Sequence, residues 1–426
     1  MISDLAHSAP LTDRFLAVRR QTEDLAAPLA TEDYVVQSMP DVSPTKWHLA
    51  HVTWFFETFV LVPQAVGYEV VDPDYQFLFN SYYLGAGERH CRDQRGYLSR
   101  PTVEQVYTYR QRVDEAMAAF LDSLAGRHDS EAQEIHRVVE IGLHHEQQHQ
   151  ELLLTDIKHV LSVNPLRPAY DTSPRPATPA GSVEALRWLP YEAGLREIGH
   201  RPEDGFSFDN EGPRHRYFLE PFELADRLVT QGEFLEFLTD GGYRRGDLWL
   251  SEGWAQVQEA GWKAPFYWQE RDGEWQVFTL HGLRPLEPSL PLAHISYFEA
   301  DAYARWAGAR LPSEFEWEAA AATLPRSGNF VESRALHPLP AADDGIAGPR
   351  QMFGDVWEWT ASQYSPYPGY RPLDGTLGEY NGKFMSNKFV LRGGSCVTPG
   401  NHIRATYRNF FPADTCWQFS GLRLAR

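Results

Sequence analysis

The sequence predicts a helical bundle followed by an irregular α+β domain. Three observations carry this. Residues 130–161 run without proline, and only Gly142 weakens a helix there. Residues 164–181 are rich in proline and small polar residues, the composition of a linker. From Leu186 onward short β-like runs alternate with Gly and Pro turns and a few short helices.

The bundle elements follow in order. Residues 11–27 read as a first helix, with Leu11, Phe15, Val18, Thr22 and Leu25 on one stripe. Ser43-Pro44 marks a helix start, Ser as the cap and Pro in the first turn. The helix over 45–57 is aromatic nearly all round and is therefore buried; it carries His48 and His51. Residues 80–87 form a loop that contains Tyr82 and Tyr83. Residues 89–95 are the one strongly basic stretch in an acidic chain. The planar forks of Arg92 and Arg95 suit a carboxylate, although composition alone favours a solvated loop with counter-charges. Cys91 reads as an ordinary thiol. Thr102 and Gln105 form a capping box. It opens a helix whose stripe is Val103, Val106, Arg110, Val113, Met117, Phe120 and Leu124. At least four helices result, and an up-and-down bundle is their natural packing.

The chemistry concentrates in residues 144–151. Ile135, Val138, Gly142, His145, His149, Leu152 and Asp156 share one stripe, so both imidazoles leave the face a bundle buries. Two histidines there are costly unless something holds them, and a metal ion is the simplest holder; hydrogen-bonded core histidines are the bland alternative. His48 and His51 are both candidates for a third ligand, and spacing does not choose between them. Glu151 lies about 200° around the helix from His149 and cannot share its face. His145-Glu146-Gln147-Gln148-His149 also fits the H-E-x-x-H pattern of zinc proteases, with Glu146 as base. Its extended form is excluded, because Leu152 and Thr155 stand where Gly and a third His are needed.

Composition narrows the function. A chain of 426 residues suggests two or three domains. The net charge of −19 argues against general nucleic-acid binding. Three cysteines are too few for a disulfide framework, and no apolar signal segment opens the chain, so a cytoplasmic setting is expected. No apolar run reaches the length of a membrane span. In the second region, capping boxes at Thr230/Glu233, Ser296/Glu299 and Ser313/Glu316 start short helices. Residues 353–359 and 391–395 read as buried strand-and-turn elements. The expected organisation is a bundle over 1–163, a linker over 164–185 and the α+β domain over 186–426.

Taken together, these residues resemble the non-heme iron sulfoxide synthases of ergothioneine biosynthesis. Leu49-Ala50-His51 and His145-x-x-x-His149-x-Glu151 resemble a DinB-like four-helix bundle. Gly308-Ala309-Arg310-Leu311-Pro312-Ser313-Glu314-x-Glu316-Trp317-Glu318, Gly354-Asp355-Val356-Trp357-Glu358-Trp359, Arg392-Gly393-Gly394-Ser395 and Gly421-Leu422-Arg423-Leu424-Ala425 resemble the formylglycine-generating-enzyme fold, a C-type-lectin-like domain. The resemblance covers nearly the whole chain.

It implies Fe(II) held by His51, His145 and His149. The implied reaction joins a thiol, cysteine or γ-glutamylcysteine, to C2 of hercynine with O2 and gives a sulfoxide. Tyr82 and Tyr83 match a tyrosine pair that supplies a proton or electron near the iron. Arg92 and Arg95 match groups that hold the donor's carboxylate; Gln148 and Asn409 match groups that hydrogen-bond hercynine. Phe410 and Phe411 would wall the pocket and suit a trimethylammonium group, at a site between the domains. Close alternatives are selenoneine synthesis from a selenosugar and an ovothiol-type reaction on histidine. Formylglycine generation is disfavoured, because Cys396 and Cys416 lack the closely placed cysteine pair it uses. A non-catalytic binding module is the bland alternative.

Overall fold

The computed structural model describes residues 9–173, 184–342, 345 and 348–426. Residues 174–183 of the expected linker lie outside the described residues. Residues up to Tyr170 cluster into one compact unit together with Leu373–Tyr380, and Asp171–Pro372 with Asn381–Arg426 form a second. The capture of Leu373–Tyr380 by the helical unit has no signal in the sequence pattern.

The first unit is built on α1 (Leu11–Ala26), α2 (Thr45–Phe56), α3 (Val103–Ser123) and α4 (Ser130–Val163). α1 and α2 each pack on both α3 and α4. The α1 stripe buries Phe15, Val18, Thr22 and Leu25 as expected, and also Arg19. Every residue of α2 is buried, which explains its aromatic surface. α3 begins at the Thr102/Gln105 capping box, and α4 at Asp129, whose side chain accepts from the Ala132 N–H. Ser43, expected to cap α2, does not: Pro44 is the N-cap and no side chain caps it. Two long-range partners take Ser43 instead. Its N–H donates to Asp156 Oδ2 at 2.8 Å and its Oγ accepts from Arg95 Nη1 at 2.8 Å. No helix among the described residues is long and apolar enough to cross a membrane.

The second unit is α+β with short strands. β1 (Trp188–Tyr191) pairs with β4 (Phe222–Ala225), and β2 (Gly194–Ile198) with β3 (His215–Leu219), both antiparallel. β5 (Trp268–Arg271), β6 (Glu274–Thr279) and β7 (Gly282–Pro285) form a meander. β8 (Trp357–Gln363), β9 (Phe389–Arg392), β10 (Asn409–Phe411) and β11 (Ser420–Gly421) form a sheet of order β10-β9-β8-β11, with β11 parallel to β8. Helices α5 (Gln231–Thr239), α7 (Tyr297–Trp306) and α8 (Glu314–Ala321) start at the three expected capping boxes; α6 (Ser251–Ala260) lies between the first two.

Buried ion pairs tie the sequence motifs of this unit to one another. Arg423 Nε meets Glu358 Oε2 at 2.9 Å, both side chains fully buried. Arg392 pairs with Glu318, and Arg408 Nε with Glu314 Oε2 at 2.8 Å. A buried charge is tolerated only when it is paired, so each motif needs its partner. Cys396 and Cys416 are buried and not joined in a disulfide.

Candidate metal centre

α2 presents His51 and α4 presents His145 and His149, and one ring nitrogen from each lies within 4.8 Å of the others. The three rings meet edge to face, with centroids 4.7–4.9 Å apart. His51 Nδ1 is 2.6 Å from the Phe79 carbonyl oxygen. A carbonyl only accepts, so Nδ1 carries the hydrogen and Nε2 keeps its lone pair. That Nε2 lies 3.2 Å from His145 Nε2. Nitrogens held about 2.1 Å from one first-row metal ion, roughly 90–110° apart, are separated by about 3.0–3.4 Å. The His51–His145 separation is the one a shared metal ion would set, and His149 stands within 4.8 Å of both.

The electrostatics fit as well. Burial lowers His145 to about 3. Burial, then the neighbouring imidazoles, hold His51 and His149 well below their ordinary value. Three neutral imidazoles are the form a metal ion needs. His145 Nδ1 is buried without a hydrogen-bond partner among the described residues. His48 sits behind His149: its Nδ1 is 2.8 Å from His149 Nδ1, and its Nε2 is 2.9 Å from Asp156 Oδ2.

Glu146 is not available as a base. It is fully buried, and it accepts from Arg19 Nη1 at 2.8 Å, Arg110 Nη2 at 2.6 Å and Thr22 Oγ1 at 2.7 Å. Burial would raise its pKa, but the two guanidiniums overcome that and lower it to about 2. The structural role of Glu146 removes the ground for the protease reading.

The two arginines differ. Arg95 is buried, with its guanidinium 3.3 Å from the centroid of the Trp47 ring. Trp47 in turn stacks on His51 at 4.5 Å. Arg95 Nε has no hydrogen-bond partner among the described residues. Arg92 is 59% exposed and donates to the Asp41 carbonyl oxygen at 2.6 Å. The two forks are not assembled on one point.

Tyr83 is buried against Trp54 and Phe59, and burial raises its pKa well above the ordinary value. Tyr82 stacks on it at 4.5 Å. A third phenol, missed by the sequence reading, packs on the triad. The Tyr380 ring lies 5.7 Å from that of His145, and its hydroxyl donates to Gln148 Oε1. Tyr380 belongs to the Leu373–Tyr380 segment of the helical unit, and Glu379 anchors that segment by accepting from the N–H groups of Leu84 and Gly85. In sequence it stands in Gly-Glu-Tyr-Asn-Gly, a loop pattern with no link to the histidines. Asn409, Phe410 and Phe411 lie on β10 of the second unit, where Phe410 stacks on Tyr364 at 4.0 Å.

Known proteins give the same division. Residues 14–153 match the DinB superfamily, and residues 181–346 and 327–426 match the Sulfatase-modifying factor enzyme 1-like domain. A hercynine oxygenase of Mycolicibacterium thermoresistibile is 32% identical over 416 residues, covering 91% of this chain and 88% of that protein. One from Mycobacterium tuberculosis is 31% identical, covering 91% of each. A formylglycine-generating enzyme of Streptomyces coelicolor is 30% identical over 54% of this chain and 83% of that protein. Relatives that match both regions in one chain, over nine-tenths of its length, place this protein in the hercynine oxygenase family.

Proposed function

We propose that the protein catalyses an Fe(II)- and O2-dependent union of a thiol with C2 of hercynine, giving the hercynine sulfoxide of ergothioneine biosynthesis. The observation that carries this reading is the triad of buried His51 and His145 with half-buried His149, all held neutral, in a chain of this family. Fe(II) bound there would supply open positions for substrates and O2 and the one-electron steps that neither an imidazole carbon nor a thiol provides unaided. The remaining steps belong to the chain. Arg95, with Arg92, takes the donor's carboxylate. Gln148, in the helical unit, takes the acceptor imidazole; in the second unit, Asn409 offers a hydrogen-bonding amide and Phe410 and Phe411 offer ring faces that suit a trimethylammonium group. Tyr380, with Tyr82 and Tyr83 beyond it, offers a phenol proton beside His145.

A neutral selenosugar donor is the second reading. The exposed Arg92 engaged with Asp41 favours it, since the two-arginine clamp is not preformed. The test is to incubate the Fe(II)-loaded protein with hercynine, O2 and cysteine, γ-glutamylcysteine or a selenosugar in turn, and to identify products by mass spectrometry. A hercynine–cysteine sulfoxide supports the first reading. A selenium adduct alone supports the second, and absence of any adduct defeats both.

A further inference from the structure

We propose that Asp156 and His48 form a positioning relay that fixes the tautomer of His149 and so decides which of its nitrogens binds a divalent metal ion. The inference rests on the triad being the metal site.

The argument starts at Asp156, which is buried. The backbone N–H of Ser43 points at Asp156 Oδ2 from 2.8 Å. A backbone N–H only donates, so this oxygen is held as an acceptor. His48 Nε2 lies 2.9 Å from the same oxygen, and because a carboxylate only accepts, Nε2 carries the hydrogen. A neutral imidazole has one N–H, so His48 Nδ1 is left as an acceptor. His149 Nδ1, at 2.8 Å from it, is then the donor. With its hydrogen on Nδ1, neutral His149 has its lone pair on Nε2. The opposite polarity would put a hydrogen on Nε2 and block it. One carboxylate thus sets two rings in series, and the same network anchors the start of α2 through Ser43. His51 reaches the same tautomer by a simpler route, through the Phe79 carbonyl. Partners of this kind behind a ligand orient the ring, and their loss typically lowers metal affinity about 10–100-fold.

The test has two arms. Side-chain nitrogen-15 NMR of the metal-free protein should show His149 protonated on Nδ1 and His48 on Nε2. Zn(II) titrations should then compare the wild type with His48→Gln and His48→Leu. An amide at position 48 can accept from His149 and donate to Asp156, so H48Q should bind Zn(II) close to the wild type. H48L fills the space but accepts nothing, and should lose about 10–100-fold. A packing role would favour H48L or affect both variants equally. Equal losses, no loss in H48L, a His149 hydrogen on Nε2 or a doubly protonated His48 would each overturn the relay. If the wild type binds no Zn(II), the metal reading fails, while the NMR pattern still decides the relay.

Discussion

A Cβ on Gly142 would lie 2.5 Å from Cε1 of Phe56 and 2.9 Å from Cε1 of Phe55. α4 therefore passes α2 at a distance that only glycine permits, one turn before His145. In an open helix Gly→Ala stabilises by about 0.5–1 kcal/mol. Here the sign should reverse, because overpacking costs roughly 1–3 kcal/mol and pushes apart the helices that carry His51 and His145. G142A should melt earlier and bind metal more weakly. A raised melting temperature with unchanged metal affinity would contradict this packing.

Glu146 bridges Arg19 and Arg110 in a fully buried cluster. Removing its charge leaves Arg19 with Asp114 and Arg110 with Glu23, but takes away the one fully buried carboxylate they share, a loss of up to roughly 3–5 kcal/mol. E146Q should lower the denaturant midpoint markedly, yet the folded fraction should retain its metal. Metal loss at unchanged stability would give Glu146 a direct role at the centre that its hydrogen bonds do not suggest.

The histidines make stability depend on pH. Burial depresses all three folded-state values below the ordinary 6.5. As pH falls below 6.5 the unfolded chain takes up protons that the folded chain refuses. The metal-free protein should then lose up to about 1.4 kcal/mol per pH unit per histidine, with His145 refusing its proton down to about 3. Above pH 7 this contribution is fully present. Metal binding at pH 7 should consequently displace no proton from the triad. Denaturation of the metal-free protein at pH 7 and 5.5, and calorimetry in buffers of different ionisation enthalpy, check both parts. Release of one proton or more on metal binding would mean the imidazoles are charged before the ion arrives.

The outline of this site was readable because helix periodicity is local. Positions 145 and 149 share a face by arithmetic, and the capping boxes at Thr102, Thr230, Ser296 and Ser313 all form. What escaped was set by long-range partners. Ser43 has the identity and position of a cap, but Asp156 and Arg95, from distant parts of the chain, claim it. His48 and His51 are equivalent in sequence, and the Phe79 carbonyl and Asp156 separate their roles. Tyr380 reaches His145 only because residues 373–380 join the helical unit, and no local pattern records that.

Tyr380 donates to Gln148 and packs on His145, whereas Tyr83 is buried against Trp54 and Phe59. If the phenol proton used in turnover is that of Tyr380, Y380F should slow turnover roughly 100-fold or more, the scale of a general acid. Metal affinity should be unchanged, since the ring remains. Y83F should have a much smaller effect. The reverse order, read from single-turnover rates with O2 at saturation, would return the role to the Tyr82–Tyr83 pair.

Arg95 carries the sharpest prediction about the donor. Its guanidinium is buried, and no carboxylate forms an ion pair with it among the described residues. Burial, then the neighbouring Arg92, lower its pKa well below the ordinary value, so a bound carboxylate would relieve a real cost. A charge-assisted hydrogen bond to a donor carboxylate is worth roughly 1.5–3 kcal/mol, about 10–100-fold in affinity. R95M keeps apolar bulk over Trp47 and removes the fork, so it should weaken cysteine or γ-glutamylcysteine by that factor while leaving hercynine nearly unaffected. R92A should cost only a few-fold, because Arg92 is exposed and engaged with Asp41. Loss of both should cost about the product of the two, from tens of fold to a few hundred-fold. A neutral selenosugar should suffer less in every variant, because it has no carboxylate to lose. Apparent donor affinities for these variants, measured with each donor, separate the two readings. Equal losses for charged and neutral donors would mean that Arg95 supports the site through Trp47 and His51 rather than by contact with the donor.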